Sequence, residues 1–282
     1  MGWLNTLAFS AIVAAGAFAA GFLGSLTGLG GGVVIVPLLT LVFGADIHYA
    51  IGASLVSVIA TSSGAAAAYV KEGFTNLRVG MLLEVATTLG ALVGAALVAV
   101  LSTKIIAVIF GLVLLQSAYL ASRPRSDHAT ADLAPDPLAA RLRLDGTFPT
   151  EAGEVRYRVR RVPAGFALMW VAGVLSGLLG IGSGAVKVLA MDQLMLLPFK
   201  VSTATSNFMI GVTAAASAGI FLHRGYIVPG LAMPVMLGVL SGSMVGARLL
   251  FRTPTQRLRL LFAVVIAVLA IEMIYSGLMG KI

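Results

Sequence analysis

The chain has 282 residues, of which 59% are hydrophobic and 11% are charged, and its mean hydropathy is +1.01. Soluble domains contain about 45 to 50% apolar and about 25% charged residues, so this composition excludes a water-soluble protein. The net charge is +8, but the basic residues stand at the ends of apolar runs, as membrane topology requires, and we expect no nucleic-acid partner. The absence of cysteine excludes disulfides and cysteine-bound metals.

Apolar segments follow one another along the chain in two groups of five. They lie at about 4–28, 32–44, 50–70, 77–101 and 104–122, and then at about 163–181, 184–199, 201–222, 226–250 and 256–279. Runs of roughly 20 apolar residues can cross a hydrocarbon core of about 30 Å as helices. The first run lacks the basic start of a signal peptide, so we treat it as mature structure. We predict an all-α polytopic protein with the lipid bilayer as its partner.

The two groups are copies of one unit. A shift of 152 residues takes Gly21 to Gly173 and also places Ser54 on Ser206 without an insertion. The same shift superimposes the glycines 28, 30, 32, 90 and 94 on the glycines 180, 182, 184, 242 and 246. We therefore predict a first transmembrane repeat over 1–122, a connecting loop over 123–162 and a second transmembrane repeat over 163–282.

The connecting loop, residues 123–162, is polar and carries eight arginines against six acidic residues. This bias predicts a cytoplasmic loop, and five crossings per half then make the second repeat inverted relative to the first. Arg224 and Lys281 would lie on the outer side as counter-signals. Four spans plus one re-entrant segment per half would instead give parallel repeats. Alternating side chains around Pro149 and Gly153 predict a short β-hairpin.

Glycine-rich breaks separate the first and second apolar segments of each half. A helix that begins after such a break directs unpaired backbone N–H groups and its positive dipole end towards the break, which attracts anions. Inverted-repeat transporters bind substrate between paired discontinuous helices. The alternative is that these glycines only permit close packing, which we do expect for the Gly90/Gly94 and Gly242/Gly246 pairs. The predicted substrate-binding residues of the breaks are Gly28, Gly30, Gly31 and Gly32, with Gly180, Gly182, Ser183 and Gly184.

Polar residues inside apolar sequence are costly in lipid and mark cavities or partners. Lys187 would complement an anion at the second break, or else its side chain reaches an interface. Glu84 and Glu272 interrupt apolar runs and could carry a proton or pair with Lys187. Hydroxyl and amide groups suit a desolvated oxyanion, so the remaining predicted binding residues are Ser54, Thr205, Ser206 and Asn207. No metal-ligand spacing, cofactor motif or activated nucleophile is evident, so we expect no metal, cofactor or enzymatic activity.

Two stretches resemble the TauE/SafE sulfite-exporter family of bacterial membrane permeases, whose halves each carry a glycine-rich break. The first runs from Gly21 to Gly32 (GFLGSLTGLGGG), with Pro37 beyond it. The second runs from Gly173 to Gly184 (GVLSGLLGIGSG) and is followed by Ala204 to Asn207 (ATSN). The resemblance covers nearly the whole chain apart from 123–162. It implies an inner-membrane permease for sulfite, sulfonates, related organosulfur anions or small carboxylates, mostly directed outward.

The second half departs from the first in having Leu189 where Pro37 stands and Ser183 where Gly31 stands, so the two breaks need not contribute equally. The leading hypothesis is an alternating-access exporter of a small anion. An anion channel on the same scaffold is the first alternative, and an intramembrane enzyme or a structural subunit is the second.

Overall fold

The computed structural model describes residues 2–27, 32–71, 73–122, 136–150, 153–250 and 255–280. The helices are α1 Gly2–Thr27, α2 Gly32–Pro37, α3 Ile47–Lys71, α4 Leu77–Leu97, α5 Thr103–Ser122, α6 Pro137–Arg141, α7 Val162–Leu179, α8 Gly184–Leu189, α9 Phe199–His223, α10 Pro229–Leu250 and α11 Thr255–Met279. Every predicted apolar segment contains one of them, which confirms the mostly helical fold. The predicted site residues Gly28, Gly30 and Gly31 lie outside the described residues.

The short helices α2 and α8 continue directly into π-helical segments, at Leu38–Val42 and Ala190–Leu194. After the second of these, Leu196 adopts a left-handed backbone with φ of 59°. A non-glycine residue rarely takes this conformation and cannot continue a helix there. The helical part of the predicted apolar segment 184–199 therefore ends at Leu194, and residues 195–198 connect it to α9.

Each short helix returns to the side of the molecule from which the preceding long helix started. In the first half, Phe43 packs edge-on against Phe9 near the start of α1, with ring centroids 6.1 Å apart. In the second half, the Met195 carbonyl accepts a hydrogen bond of 3.1 Å from the Arg160 amide, just before α7. The pairs α1–α2 and α7–α8 are therefore helical hairpins, and the bend of the second is the glycine-rich break at 180–184.

Long helices of one half pack against long helices of the other half. The pairs are α1 with α10, α4 with α7, α3 with α9 and α5 with α11. Gly90 and Gly94 on α4 lie directly on the Trp170 and Val174 carbonyls of α7, and Gly242 lies on Phe18, so that a Cβ atom would overlap the facing backbone. The close-packing prediction is confirmed for these three glycines, while the surroundings of Gly246 lie outside the description.

The outer surface of the bundle is apolar, with residues such as Ile12, Leu89 and Val264 more than half exposed. Among the described residues, four helical stretches are long and apolar enough to cross a membrane: Leu77–Leu97, Thr103–Leu120, Val162–Leu179 and Phe199–His223. Shorter apolar helical stretches accompany them at Ala8–Phe22, Gly32–Val42, Ile47–Ser63, Pro229–Val245 and Ala263–Met279. This surface is that of a polytopic protein in lipid.

The described part of the connecting segment holds α6 and an antiparallel hairpin of β1 (Gly146–Thr150) and β2 (Gly153–Tyr157). Asn76, the N-cap residue of α4, donates hydrogen bonds of 2.8 Å to the Tyr157 hydroxyl and to the Leu144 carbonyl. Burial raises the pKa of Tyr157 to about 12, although the bond from Asn76 acts in the opposite direction. The segment is thus fastened to the beginning of α4.

Candidate transport site

The second break is a run of left-handed backbone between α7 and α8. Gly180, Gly182 and Ser183 have φ of 67°, 71° and 46°. Glycine takes such angles at little cost, whereas Ser183 is strained by them. The Gly180 amide donates to the Ser176 carbonyl at 2.8 Å and so closes α7, after which α8 begins at Gly184. The predicted break is therefore confirmed as an interruption between two helices.

Helix α3 of the first half reaches this break through Ser54. The Ser54 hydroxyl donates a hydrogen bond of 2.8 Å to the Gly180 carbonyl, and Ser54 is fully buried. The Gly32 carbonyl lies 3.4 Å from the same hydroxyl. A Cβ atom on Gly32 would approach both the Ser54 oxygen and the Gly180 carbonyl. The structure thus brings together the beginning of α2, the middle of α3 and the second break.

Lys187 is the only lysine or arginine with no exposed surface in the described part of the chain. Its Nζ donates to the Thr213 Oγ1 atom of α9 at 2.6 Å. Thr213 Oγ1 in turn lies 2.8 Å from Glu84 Oε1 on α4 and 2.9 Å from the Met209 carbonyl, either of which can accept its hydrogen. A threonine hydroxyl therefore stands between the ammonium group and the carboxylate.

Several buried polar atoms of this region have no hydrogen-bond partner among the described residues. They are Glu84 Oε2 and the side-chain hydroxyls of Ser176, Ser183 and Ser206. The Lys187 ammonium has three donors, and one of them is engaged by Thr213. Buried polar groups are normally paired, so unused donors beside a break indicate a place where a polar ligand completes the bonding.

The remaining predicted residues are distributed over different surroundings. Thr205 is buried, but its Oγ1 accepts a bond of 3.0 Å from the Asn76 amide, so it contacts the start of α4. Asn207 is half-buried on α9. Glu272 is exposed on α11, where it accepts a bond of 3.4 Å from Ser276, and it does not pair with Lys187. Of the two carboxylates considered as partners of Lys187, only Glu84 joins it.

Thr213 is the member of this cluster that the sequence interpretation did not select. It lies seven residues after Ser206, which is two helical turns along the same face of α9. This spacing was the available signal, because residues seven apart lie on the same face of a helix, and Thr213 is the next hydroxyl residue on the face of Ser206.

A family model described as "Sulfite exporter TauE/SafE" matches residues 13–273. The chain is 29% identical over 270 residues to "Probable membrane transporter protein YunE" of Bacillus subtilis (strain 168), covering 92% of this chain and 95% of that protein. It is 26% identical over 232 residues to "Probable membrane transporter protein YdhB" of the same organism, covering 82% and 86%. It is 24% identical over 261 residues to "Probable membrane transporter protein ORF9" of Sinorhizobium sp, covering 92% and 89%.

No solved structure matches the chain. The family match extends over both glycine-rich breaks and over every helix that contributes to the Lys187 cluster. The chain belongs to the TauE/SafE sulfite exporter family and is a multi-pass membrane transporter.

Proposed function

We propose that this protein exports a small anion of the sulfite or sulfonate class across the bacterial inner membrane. The observation that carries the proposal is the fully buried Lys187 beside the second break, with donors left over after its bond to Thr213. A buried cation with free donors, next to the unpaired hydroxyl of Ser183, provides charge and hydrogen bonds for an oxyanion. The family description, which names sulfite export, agrees with this chemistry.

The proposed substrate-binding residues are those selected from the sequence, now centred on the second break. Gly180, Gly182, Ser183 and Gly184 supply its backbone, and Lys187 supplies the charge. Their partners from the other elements are Gly32, Ser54, Ser206 and Asn207, with Thr205 at the edge. Gly28, Gly30 and Gly31 are proposed as the corresponding backbone of the first break.

Helix directions support two inverted repeats around this site. Gly52, near the start of α3, lies against Tyr226 just beyond the end of α9, so α3 and α9 are antiparallel. Gly238 and Gly242 lie against Ala14 and Phe18, which makes α1 and α10 parallel. In inverted repeats, equivalent helices such as α3 and α9 run in opposite directions. Helices that are first in one repeat and fourth in the other, such as α1 and α10, run in the same direction. Parallel repeats would not give this pattern.

The returning short helices support the same arrangement. Because α2 ends on the side where α1 begins, the α1–α2 hairpin adds no net crossing, and α3, α4 and α5 would give the first half an odd number of crossings. The second half has the same order, with α9, α10 and α11 after its hairpin. An odd number of crossings supports a second half that is inverted relative to the first. Rocking of the halves about the breaks would then expose the site to one side of the membrane at a time.

Export follows from the membrane potential when the loaded carrier has a net negative charge. Moving one elementary charge across 100 mV is worth about 2.3 kcal/mol, so a monoanion can be exported until its concentration outside is roughly fortyfold higher than inside. No other energy source is needed for this direction.

The test is flux of radiolabelled sulfite in proteoliposomes, competed by sulfate, thiosulfate, taurine, sulfoacetate and acetate. Saturable flux with counterflow supports the carrier, non-saturating flux without counterflow indicates an anion channel, and no flux with any anion at either sign of voltage contradicts the proposal. Lys187→Gln is expected to raise KM at least tenfold, because it removes a charge-assisted contact. Lys200→Gln is the matched control, since Lys200 is exposed at the start of α9, and its KM should not change.

A further inference from the structure

We propose that Glu84 is the resident counter-ion of Lys187, which neutralises the site when the carrier is empty and leaves the remaining donors of the ammonium group for the transported anion. The inference rests on the proposed function and assigns a role to a carboxylate that would otherwise be an unexplained cost inside an apolar bundle. In this role Glu84 does not touch the substrate; it sets the charge of the site.

The first step is the geometry of the three groups. The Thr213 hydroxyl is 2.6 Å from Lys187 Nζ and 2.8 Å from Glu84 Oε1, so the two charges are close but do not form a direct salt bridge. In the described part of the chain, no other charged side chain is bonded to either group. Lys187 therefore keeps donors for an incoming anion while Glu84 balances its charge at a short distance.

The second step is that Glu84 is itself incompletely bonded. Its Oε1 atom accepts from Thr213 and from Thr88, at 2.8 and 3.1 Å, whereas its buried Oε2 atom has no partner. A carboxylate kept only for stability would be expected to have both oxygens satisfied. This arrangement is suited to a group that must remain close to the cation without occupying it.

The third step is that only one of the two positions related by the repeat carries the charged pair, which combines Lys187 of the second half with Glu84 of the first half. The shift of 152 residues relates Thr213 to Thr61, but it relates Lys187 to Ile35 and Glu84 to Met236. Ile35 is fully buried at its position. The related position, at Ile35 of the first half and Met236 of the second, therefore has apolar residues, and the lysine and the glutamate are absent from it together.

The consequence concerns which step of the transport cycle moves charge. With Glu84 ionised, the empty site is neutral, and the loaded site carries the full charge of the anion. With Glu84→Gln, the empty site has one positive charge, and the loaded site has one negative charge fewer. The net charge moved per transported anion is unchanged. However, movement of the loaded carrier now carries one negative charge fewer across the membrane, and the return of the empty carrier moves one positive charge.

The test compares sulfite exchange, in which loaded carriers move in both directions, with net sulfite efflux, which includes the empty return. Relative to wild type, Glu84→Gln should lower KM for sulfite several-fold, because the bound anion no longer experiences repulsion from the nearby carboxylate. Its exchange rate should lose one charge of voltage dependence, up to about fortyfold per 100 mV. Its net efflux should become dependent on voltage through the return of the empty carrier, which now moves one positive charge across the membrane.

Two variants separate this role from a structural one. Glu84→Asp keeps the charge and should retain the wild-type voltage dependence even if its turnover falls. Glu272→Gln removes the other carboxylate of an apolar helix and should change neither KM nor voltage dependence. A folded Glu84→Gln carrier with wild-type KM and wild-type voltage dependence of exchange would overturn the inference. Absence of flux in wild type with every anion would instead overturn the proposed function, and this inference with it.

Discussion

A lysine without exposed surface is expensive to bury, and Lys187 lies among helices whose neighbouring side chains are largely apolar. Its only bonded partner in the described residues is a neutral hydroxyl, and the nearest carboxylate is one hydroxyl further away. A protein selected for stability alone would place an apolar side chain here, as the other half does with Ile35. At the scale of the residue, therefore, the buried charges that reduce stability lie at the proposed site.

Ser54 is the residue-scale link between the halves, and Ser54→Ala tests it. The substitution leaves the buried Gly180 carbonyl without the 2.8 Å bond from α3, so we expect a loss of about 1 kcal/mol in stability and a raised KM for sulfite. Ser57→Ala is the control, because the Ser57 hydroxyl only donates a hydrogen bond of 2.8 Å to the Ser54 carbonyl within its own helix. Thermal unfolding in detergent and transport kinetics measure the difference. Equal effects of the two substitutions would mean that the inter-half bond is unimportant.

At the scale of the element, the sequence predicts where helices lie better than how they end. Long apolar runs fix α4, α5, α7 and α9 within a few residues, because the bilayer imposes both length and composition. The π-helical segments after α2 and α8 leave no periodicity that a sequence could reveal, so the apolar segment 184–199 does not indicate that its helix ends at Leu194. The break was predictable from Gly180 and Gly182, but the bridging role of Thr213 depends on contacts with α4 and α8 that only folding creates.

The contact between α4 and α7 depends on glycine at Gly94. A Cβ atom there would overlap the Val174 carbonyl, and backbone cannot move aside as a side chain can. We expect Gly94→Ala to reduce the yield of folded protein and to lower the thermal midpoint by several degrees. Gly219→Ala, in the interior of α9 with open space around it, should leave both unchanged or raise stability by up to about 1 kcal/mol. Size-exclusion profiles and thermal unfolding provide the readouts, and an unaffected Gly94→Ala would contradict the packing assignment.

The hairpin is attached to the transmembrane helices by polar bonds at the start of α4 and by apolar packing of Phe148 and Tyr157. Tyr157→Phe removes the acceptor of the 2.8 Å bond from Asn76 but keeps the ring, whereas Asn76→Ala also removes the cap of α4 and the bond to Leu144. We expect faster tryptic cleavage within the arginine-rich segment, modestly for Tyr157→Phe and more strongly for Asn76→Ala. Thr147→Ala, at an exposed position of β1, should leave the cleavage rate at the wild-type value. Unchanged cleavage in Asn76→Ala would show that apolar packing alone holds the hairpin.

At the scale of the whole molecule, α1 and α4 of one half contact α10 and α7 of the other, as the proposed two-fold relation between inverted halves requires. The duplicated glycines of the sequence predict equivalent units, but a sequence shift says nothing about direction. Direction depends on whether the short second helix crosses the membrane or returns, and that is decided by contacts such as Phe9 with Phe43. The charges at Lys187 and Glu84 then make the two halves chemically unequal around a common framework.

Cysteine accessibility tests this arrangement directly, because the chain has no cysteine and each introduced thiol is read without background. Asp46, before α3, and Lys200, at the start of α9, are exposed ends of equivalent regions. Inverted repeats with a cytoplasmic connecting segment predict that Asp46→Cys is labelled by an impermeant maleimide from outside intact cells. They also predict that Lys200→Cys reacts only after permeabilisation, together with Thr147→Cys in β1. Parallel repeats would expose Asp46→Cys and Lys200→Cys on the same side, and that result would remove the two-fold relation on which an alternating-access site between the breaks depends.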